Sequence, residues 1–516
     1  MPPHDLSPTT ITLENLMATT DTTADAPLDV LIVGAGISGI GAARHLTTDL
    51  PGHTFAILEA RESIGGTWDL FRYPGIRSDS DLHTFGYEFK PWTDEDAIAS
   101  GNKILSYLRE AVVENDLAPH IRFQHRVVTA EWSSDDALWR VGVERSDTGE
   151  HITMTARWIF GATGYYDYDA GYTPEFPGRE RFAGTVVHPQ HWPADLDVTD
   201  QKIVVIGSGA TAVTLIPALV ERGAKHVTML QRTPTYVIPV PAKDAIANAA
   251  QRVLGPERGF AIARRKNIAQ QRLLYQFCQR FPSAARRLIR QLNAMQLPDG
   301  FDVDKHFNPP YNPWDQRLCT VPNGDLFRAI RDGRADVETD RIDTFTAGGI
   351  RLESGKELPA DIIVTATGLN LKLFGGITAV IDGEPLTPAD KLTYKGMMLS
   401  DVPNFAYAVG YTNSSWTLKI SLLCEHFTRL LAHMDSNGYT SCTPNAPAME
   451  TRPFLDFSAG YVQRSINSLP RQGDRAPWTT SMDYSGDVRL IRGGPIVDEF
   501  LTFSGATDRA PAQATS

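Results

Sequence analysis

The sequence predicts an α/β protein built on two successive dinucleotide-binding units, and three observations carry that prediction. The apolar run Leu28-Asp-Val-Leu-Ile-Val33 leads into the glycine-rich turn Gly34-Ala-Gly36-Ile-Ser38-Gly39 and then into an alanine-rich helical stretch. The same order recurs where Lys202-Ile-Val-Val-Ile206 meets Gly207-Ser208-Gly209-Ala210-Thr211-Ala212-Val213. Two matching strand ends, Ala162-Thr-Gly164 and Ala366-Thr-Gly368, close the two halves. Strand, glycine turn, helix and strand in that order form a Rossmann-like unit.

Each element follows in turn. In the first unit the helix runs through Ile40 to Leu46 and the second strand is His53-Thr-Phe-Ala-Ile-Leu-Glu59. In the second unit the helix runs through Leu219 and the next strand is His226-Val-Thr-Met-Leu-Gln231. Residues 1–27, rich in Thr, Asp, Ala and Pro, read as a flexible tail or, with Met17 as the start, as partly untranslated. The first domain takes residues 28–165, a joining segment 166–200, and the second domain 201–374 with a helical insertion at 241–300. Residues 375–516 return to the first domain through Asn404 to Gly410 and a helix spanning Leu422 to His433.

Composition sets the bounds. With 516 residues, 42% hydrophobic and 21% charged, the chain can bury two or three sizeable cores. A net charge of -12 argues against nucleic acid as a partner, since phosphate binding needs a concentrated basic face. The four cysteines, Cys278, Cys319, Cys424 and Cys442, form no C-x-x-C pair, so neither zinc nor a disulfide framework is expected. Without a secretory signal or a long apolar run, the expected location is the cytoplasm. One stretch departs from the acidic average. The insertion carries Arg252, Arg258, Arg264, Arg265, Lys266, Arg272, Arg280, Arg286, Arg287 and Arg290, and between the first and the last of these Glu257 is the single acid. That block suits either the anionic inner face of the cell membrane or a helix face packed on the protein's own acidic surface.

The two turns call for two nucleotides of different kinds. Gly34 permits the tight turn, Gly36 lets a pyrophosphate approach the backbone, and Gly39 allows close contact between helix and strand. The helix N-terminus, with Ser38 in its first turn, supplies amide donors and partial positive charge. Glu59 ends the second strand, where a carboxylate accepts from both ribose hydroxyls and repels a 2′-phosphate, so this site suits FAD or NAD. In the second unit Arg232-Thr233 stands where the first has its acid, and a guanidinium beside a hydroxyl favours NADPH. FAD in the first unit and NADPH in the second is the simplest allocation.

Two further motifs carry a resemblance. Gly65-Gly-Thr67-Trp68-Asp69-Leu70-Phe-Arg-Tyr73-Pro-Gly75-Ile-Arg77-Ser78-Asp79 follows the first unit, and Phe182-Ala-Gly184-Thr-Val-Val-His188-Pro-Gln-His-Trp192-Pro193 precedes the second. Together they resemble the type I Baeyer–Villiger monooxygenases, within the flavin monooxygenase superfamily, and nearly end to end the mycobacterial ethionamide-activating subgroup. Sister flavin monooxygenases usually carry Tyr or Phe where this chain has Trp192-Pro193. The resemblance implies an FAD enzyme that consumes NADPH and O2, forms a peroxide at flavin C4a and turns a ketone into an ester or lactone. It also implies oxygenation of sulfides and thioamides.

By the same resemblance Arg317, in Asn312-Pro-Trp-Asp-Gln-Arg317, is the catalytic cation and Asp79 the carboxylate that orients it. Thr67, Trp68, Asp69 and Leu70 lie along the flavin, Arg77, Ser78 and Asp79 reach the contact between flavin and nicotinamide, and Val127 meets the adenine through its backbone. Phe182, Gly184, His188, Trp192 and Pro193 couple the domains conformationally. Many relatives have Lys where this chain has Gln316, which leaves coenzyme preference to Arg232 and Thr233. Two enzymatic alternatives stand beside this reading: a flavin monooxygenase that oxidises only sulfur or nitrogen, and a dithiol-disulfide reductase, which lacks its cysteine pair here. A redox-sensing flavoprotein is the non-enzymatic alternative.

Overall fold

The computed structural model describes residues 26–455 and 459–505, so the tail expected at 1–27 and the last part of the 375–516 segment lie largely outside the described residues. In the first domain Leu28–Val33 pairs in parallel with Phe55–Leu58 on one side and with the end of His151–Gly161 on the other. Phe55–Leu58 pairs in turn with Ile121–Arg122. These strands are buried without alternation, as a parallel sheet covered on both faces requires. The start of His151–Gly161 instead joins an antiparallel meander with Leu138–Arg145 and His125–Ser133. There Trp139, Val141 and Val143 alternate with more exposed neighbours, the pattern of a sheet with one wet face.

The chain re-enters this first sheet after the second domain, because Phe405–Tyr407 pairs in parallel with Ile159 to Gly161. Helix Ile37–Asp49 buries Ile40, Ala43 and Leu46 in the main core and packs beside the later helix Trp416–Asn437. Fully buried side chains the size of Ile40 and Leu46 each contribute about 1.5–3 kcal/mol of transfer free energy.

The second domain is a five-stranded parallel sheet in the order Ala335–Thr339, His226–Gln231, Lys202–Ile206, Ile362–Thr365 and Thr185–Val187. Its edge strand Thr185–Val187 comes from the segment expected to be a joint, so residues 166–200 divide. The first part, Tyr166–Gly171, pairs antiparallel with Leu369–Leu371 and forms a two-stranded link between the domains. The insertion folds as helices Ala245–Leu254, Pro256–Arg280 and Pro282–Ala294, bracketed by the parallel pair Val237–Val240 and Cys319–Pro322.

Candidate active site

The first glycine turn opens into a cavity of about 530 Å³ lined by Gly34, Gly36, Glu59, Gly66, Leu70, Val127 and Tyr166 among others. Gly34 has φ +106°, and a Cβ there would stand 2.8 Å from the Ala162 carbonyl oxygen. On Gly39 a Cβ would stand 1.9 Å from the Gly34 carbonyl oxygen, so neither position admits a side chain. Gly36 caps helix Ile37–Asp49 without any side-chain hydrogen bond, leaving its first amides for an anion. Glu59 is buried; its carboxylate accepts from the Ala35 amide at 2.8 Å and the Arg61 amide at 3.0 Å. Burial pushes this carboxyl above its usual range, against the pull of those two amides. Two oxygens carry about four acceptor sites, so capacity remains for ribose hydroxyls. The residues present therefore fit a dinucleotide with an unphosphorylated ribose.

The second turn repeats the steric logic in the open. Gly207 has φ +134° and a Cβ there would lie 2.3 Å from the Ala366 carbonyl oxygen. Gly209 caps helix Ala210–Glu221, again with no side-chain hydrogen bond, while Ala212 and Val213 are buried behind it. Ser208 Oγ donates to the Thr233 carbonyl at 3.1 Å and meets Thr235 Oγ1 at 2.8 Å, which holds the Arg232-Thr233 loop against the turn. The Arg232 side chain is exposed beside it.

Between the two turns, Arg317 Nη2 lies 3.1 Å from Asp79 Oδ2, with both side chains about one-third exposed. The neighbouring carboxylate raises the Arg317 pKa above its usual value, so the group is a permanent cation. Tyr165, Tyr166 and Tyr461 surround it, their phenols kept neutral by burial. Tyr166 also lines the first cavity, and its hydroxyl is 3.2 Å from that of Tyr165. Tyr165 stacks on Trp416 with centroids 5.3 Å apart, and Trp416 Nε1 donates to Ser38 Oγ at 2.9 Å. A chain of contacts thus runs from the first glycine helix to Arg317.

The segment from Phe71 to Asp79 docks the domains. Phe71 and Tyr73 belong to the core of the second domain, and the Thr211 side chain hydrogen-bonds the Tyr73 phenol, which burial pushes up to about 12. Gly75, at φ +77°, approaches so closely that a Cβ would stand 2.8 Å from the Thr214 carbonyl oxygen. His188 Nδ1 accepts from the Gln190 amide at 3.2 Å, which makes Nε2 the donor to the Gly368 carbonyl at 3.2 Å. A Cβ on Gly171 would fall 2.0 Å from the His188 ring, and Gln190 Nε2 donates to the Asp167 carbonyl at 2.8 Å. His188 and Gln190 therefore grip both sides of the two-stranded link. Gly184 is pressed against Asp361, Phe182 lies edge-on to Phe345, Trp192 packs on the second core, and the Pro193 carbonyl accepts from the Leu196 amide.

Comparison with known proteins decides the family. The chain is 54% identical to the FAD-containing monooxygenase EthA of Mycobacterium tuberculosis, over 92% of this chain and 98% of that protein. It is 47% identical to a probable FAD-binding monooxygenase, AlmA, of an Acinetobacter species, over 92% and 96% of the two chains. The chain belongs to the FAD-containing monooxygenases. The pyridine nucleotide-disulphide oxidoreductase family matches residues 31–243, which span the two glycine turns. The four cysteines are free and buried, and burial pushes the Cys319 thiol up to about 12. The fold is that of Baeyer–Villiger monooxygenases. A steroid monooxygenase bound to NADP superposes with a TM-score of 0.71 at 23% identity, over 93% of this chain and all of that one. A cyclohexanone monooxygenase superposes at 0.67 and 23% identity, over 81% and 90%.

Within this monooxygenase three side chains of the motif have protein partners of their own. The Asp69 carboxylate is engaged by Arg61, by Arg72 Nη2 at 3.1 Å and by Ser63 Oγ at 3.2 Å, which braces the turn. Arg77 pairs with Asp325 of the second domain, and Ser78 is tied to Ala99 through both its amide and its hydroxyl. These two fasten the loop that presents Asp79. Thr67 Oγ1 meets the Tyr168 hydroxyl at 3.2 Å and Trp68 lies edge-on to Phe85. The sequence assigns no role to the tyrosine cluster, Trp416 or Gln190, although Gly164-Tyr165-Tyr166 directly follows a strand end that it marks.

Proposed function

We propose that this monooxygenase uses NADPH and O2 to insert one oxygen atom beside a carbonyl, converting a ketone into an ester or lactone, and that it also oxygenates sulfides or thioamides. The carrying observation is the Arg317–Asp79 pair beside the Tyr166 wall of the first cavity. FAD, when bound, supplies the oxygen activation. Its pyrophosphate would be held by Gly34, Gly36, Ser38 and Gly39, its ribose by Glu59, its adenine by the Val127 backbone, and its ring system by Thr67, Trp68 and Leu70. NADPH would be held by Gly207 to Val213, and its 2′-phosphate by Arg232 and Thr233.

Arg317 is held by one carboxylate and flanked by neutral phenols, which fix its charge beside the Tyr166 wall of the first cavity. A fixed cation there favours the negative charge that develops on the transferred oxygen and on the substrate carbonyl. His188, Gln190 and Trp192 set the relative placement of the two domains, and hence of hydride donor and acceptor.

The test is product analysis of FAD-loaded enzyme given NADPH, oxygen and a linear methyl ketone beside an aryl methyl sulfide. Ester from the ketone supports the proposal. Sulfoxide with no ester across a wider ketone panel assigns the enzyme to heteroatom oxidation instead.

A further inference from the structure

The three inserted helices have two unlike sides. On the inner side of Pro256–Arg280, Arg264 is buried and its Nη1 donates to the carbonyls of His83, Thr84 and Gly86 at 3.0, 3.0 and 2.9 Å. Those carbonyls lie along and just past the short helix Leu82–Phe85, so the arginine caps an element of the first domain. Asn267 and Gln271 donate to Asp81, and Lys266 pairs with Asp244. Part of the basic block is therefore internal structure.

The outer side is different. Eleven large apolar side chains are exposed among the described residues, and nine of them fall within residues 246–295. Along Pro256–Arg280, Arg258, Ile262, Arg265, Arg272, Leu273 and Arg280 are exposed, at helical spacing on one face. The hairpin tip exposes Val253 at 79% and the end of the third helix exposes Met295 at 79%. None of these exposed arginines has an ion pair or hydrogen bond among the described residues. Soluble surfaces rarely gather apolar side chains this way.

We propose that this face docks on an anionic phospholipid surface, lying in the headgroup layer with its apolar side chains inserted and its arginines on phosphates. Interleaved arginine and apolar side chains are what such a layer receives, because guanidinium and hydrocarbon meet different depths of one interface. Charge selects this occupant over a second copy of the chain, since two such faces brought together would set arginine against arginine. Elsewhere the molecule is acidic enough to reach a net charge of -12, so the inserted basic face is set against an acidic remainder, which orients the molecule toward an anionic membrane. Among the described residues no helix is long and apolar enough to cross a membrane. The docked helix also touches the site: Tyr275 lies edge-on to Trp314, 5.7 Å between centroids and three residues before Arg317. Ser414 Oγ donates to Gln271 at 3.0 Å. Docking thus places lipid-dissolved substrate on the side of the molecule that carries the Arg317 loop, and it does not depend on which atom is oxygenated.

The experiment is co-sedimentation of the full-length, FAD-loaded protein with vesicles of phosphatidylglycerol and phosphatidylcholine, beside vesicles of phosphatidylcholine alone. Binding is expected only with phosphatidylglycerol and should weaken as salt rises. Each arginine neutralised should weaken it about fivefold, so Arg265→Gln, Arg272→Gln and Arg280→Gln together cost about a hundredfold. Ile262→Ser with Leu273→Ser should weaken binding and leave its salt dependence intact, with FAD content and turnover of a water-soluble sulfide unchanged. Wild-type protein that stays in the supernatant, or binds both vesicle types equally, overturns the proposal. So does a doubled mass in light scattering that Leu273→Ser abolishes without any vesicle binding, which would assign the face to a second copy. The wild-type comparison decides even if a variant folds poorly.

Discussion

The two glycine turns share a topology and differ in everything that meets a ligand. At Gly34 and Gly207 the same constraint operates, because the carbonyl closing the neighbouring strand, that of Ala162 or Ala366, leaves no room for a Cβ. At the next glycine they part. A Cβ on Gly36 would meet Gly66 Cα at 3.7 Å, whereas nothing lies within 4 Å of the same point on Gly209. The first unit ends in a buried, amide-bonded Glu59 and the second in an exposed Arg232. One cradle is walled and suits a group that stays; the other is open and suits a co-substrate that leaves.

The largest effect should come from breaking the walled cradle. Gly34→Val forces a β-branched residue to φ +106° against a backbone oxygen, costing about 1–3 kcal/mol in strain before the clash is counted. The purified variant should lose most of its FAD, read from the ratio of flavin to protein absorbance. Next is the open cradle. Removing a charge-assisted contact to phosphate costs about 1.5–3 kcal/mol, so Arg232→Ala should raise the NADPH KM about 10- to 100-fold while NADH kinetics and FAD content hold. Equal loss for both coenzymes would remove Arg232 from the 2′-phosphate.

The smallest effect concerns what joins the two units. Burial lowers the His188 pKa below its ordinary value of about 6.5, so the folded protein prefers the neutral ring. Its contribution is fully present above that unfolded value and is lost as pH falls toward the depressed folded one. Replacing it by His188→Gln should cost about 0.5–1.5 kcal/mol near neutrality, with the gap to wild type closing under mild acid in thermal unfolding.

Local steric rules made much of this legible. The strands ending at Val33 and Ile206 stand where the apolar runs placed them, because a glycine turn is decided by its own residues and the next strand. Asp79 and Arg317 could be paired from sequence only through resemblance, since nothing local connects them. The protein partners of the motif's charged side chains were not legible: Arg77 finds Asp325 of another domain, and Asp69 finds Arg61 across a turn. Gly75 reads as an ordinary turn residue, yet its reason is contact with Thr214. The charge of the insertion was visible, but its division between a buried Arg264 and an exposed outer stripe needed the fold.

The central claim is that Arg317, placed at the junction of the two cradles, serves oxygen transfer and not coenzyme binding. The direct measurement takes wild type and Arg317→Ala, follows anaerobic flavin reduction by NADPH, and then analyses the product from a methyl ketone under isotopically labelled oxygen. The account predicts labelled ester from wild type, lost about a hundredfold or more in the variant, with flavin reduction nearly unchanged. Ester that persists in the variant, or flavin reduction lost in parallel with it, would contradict the account.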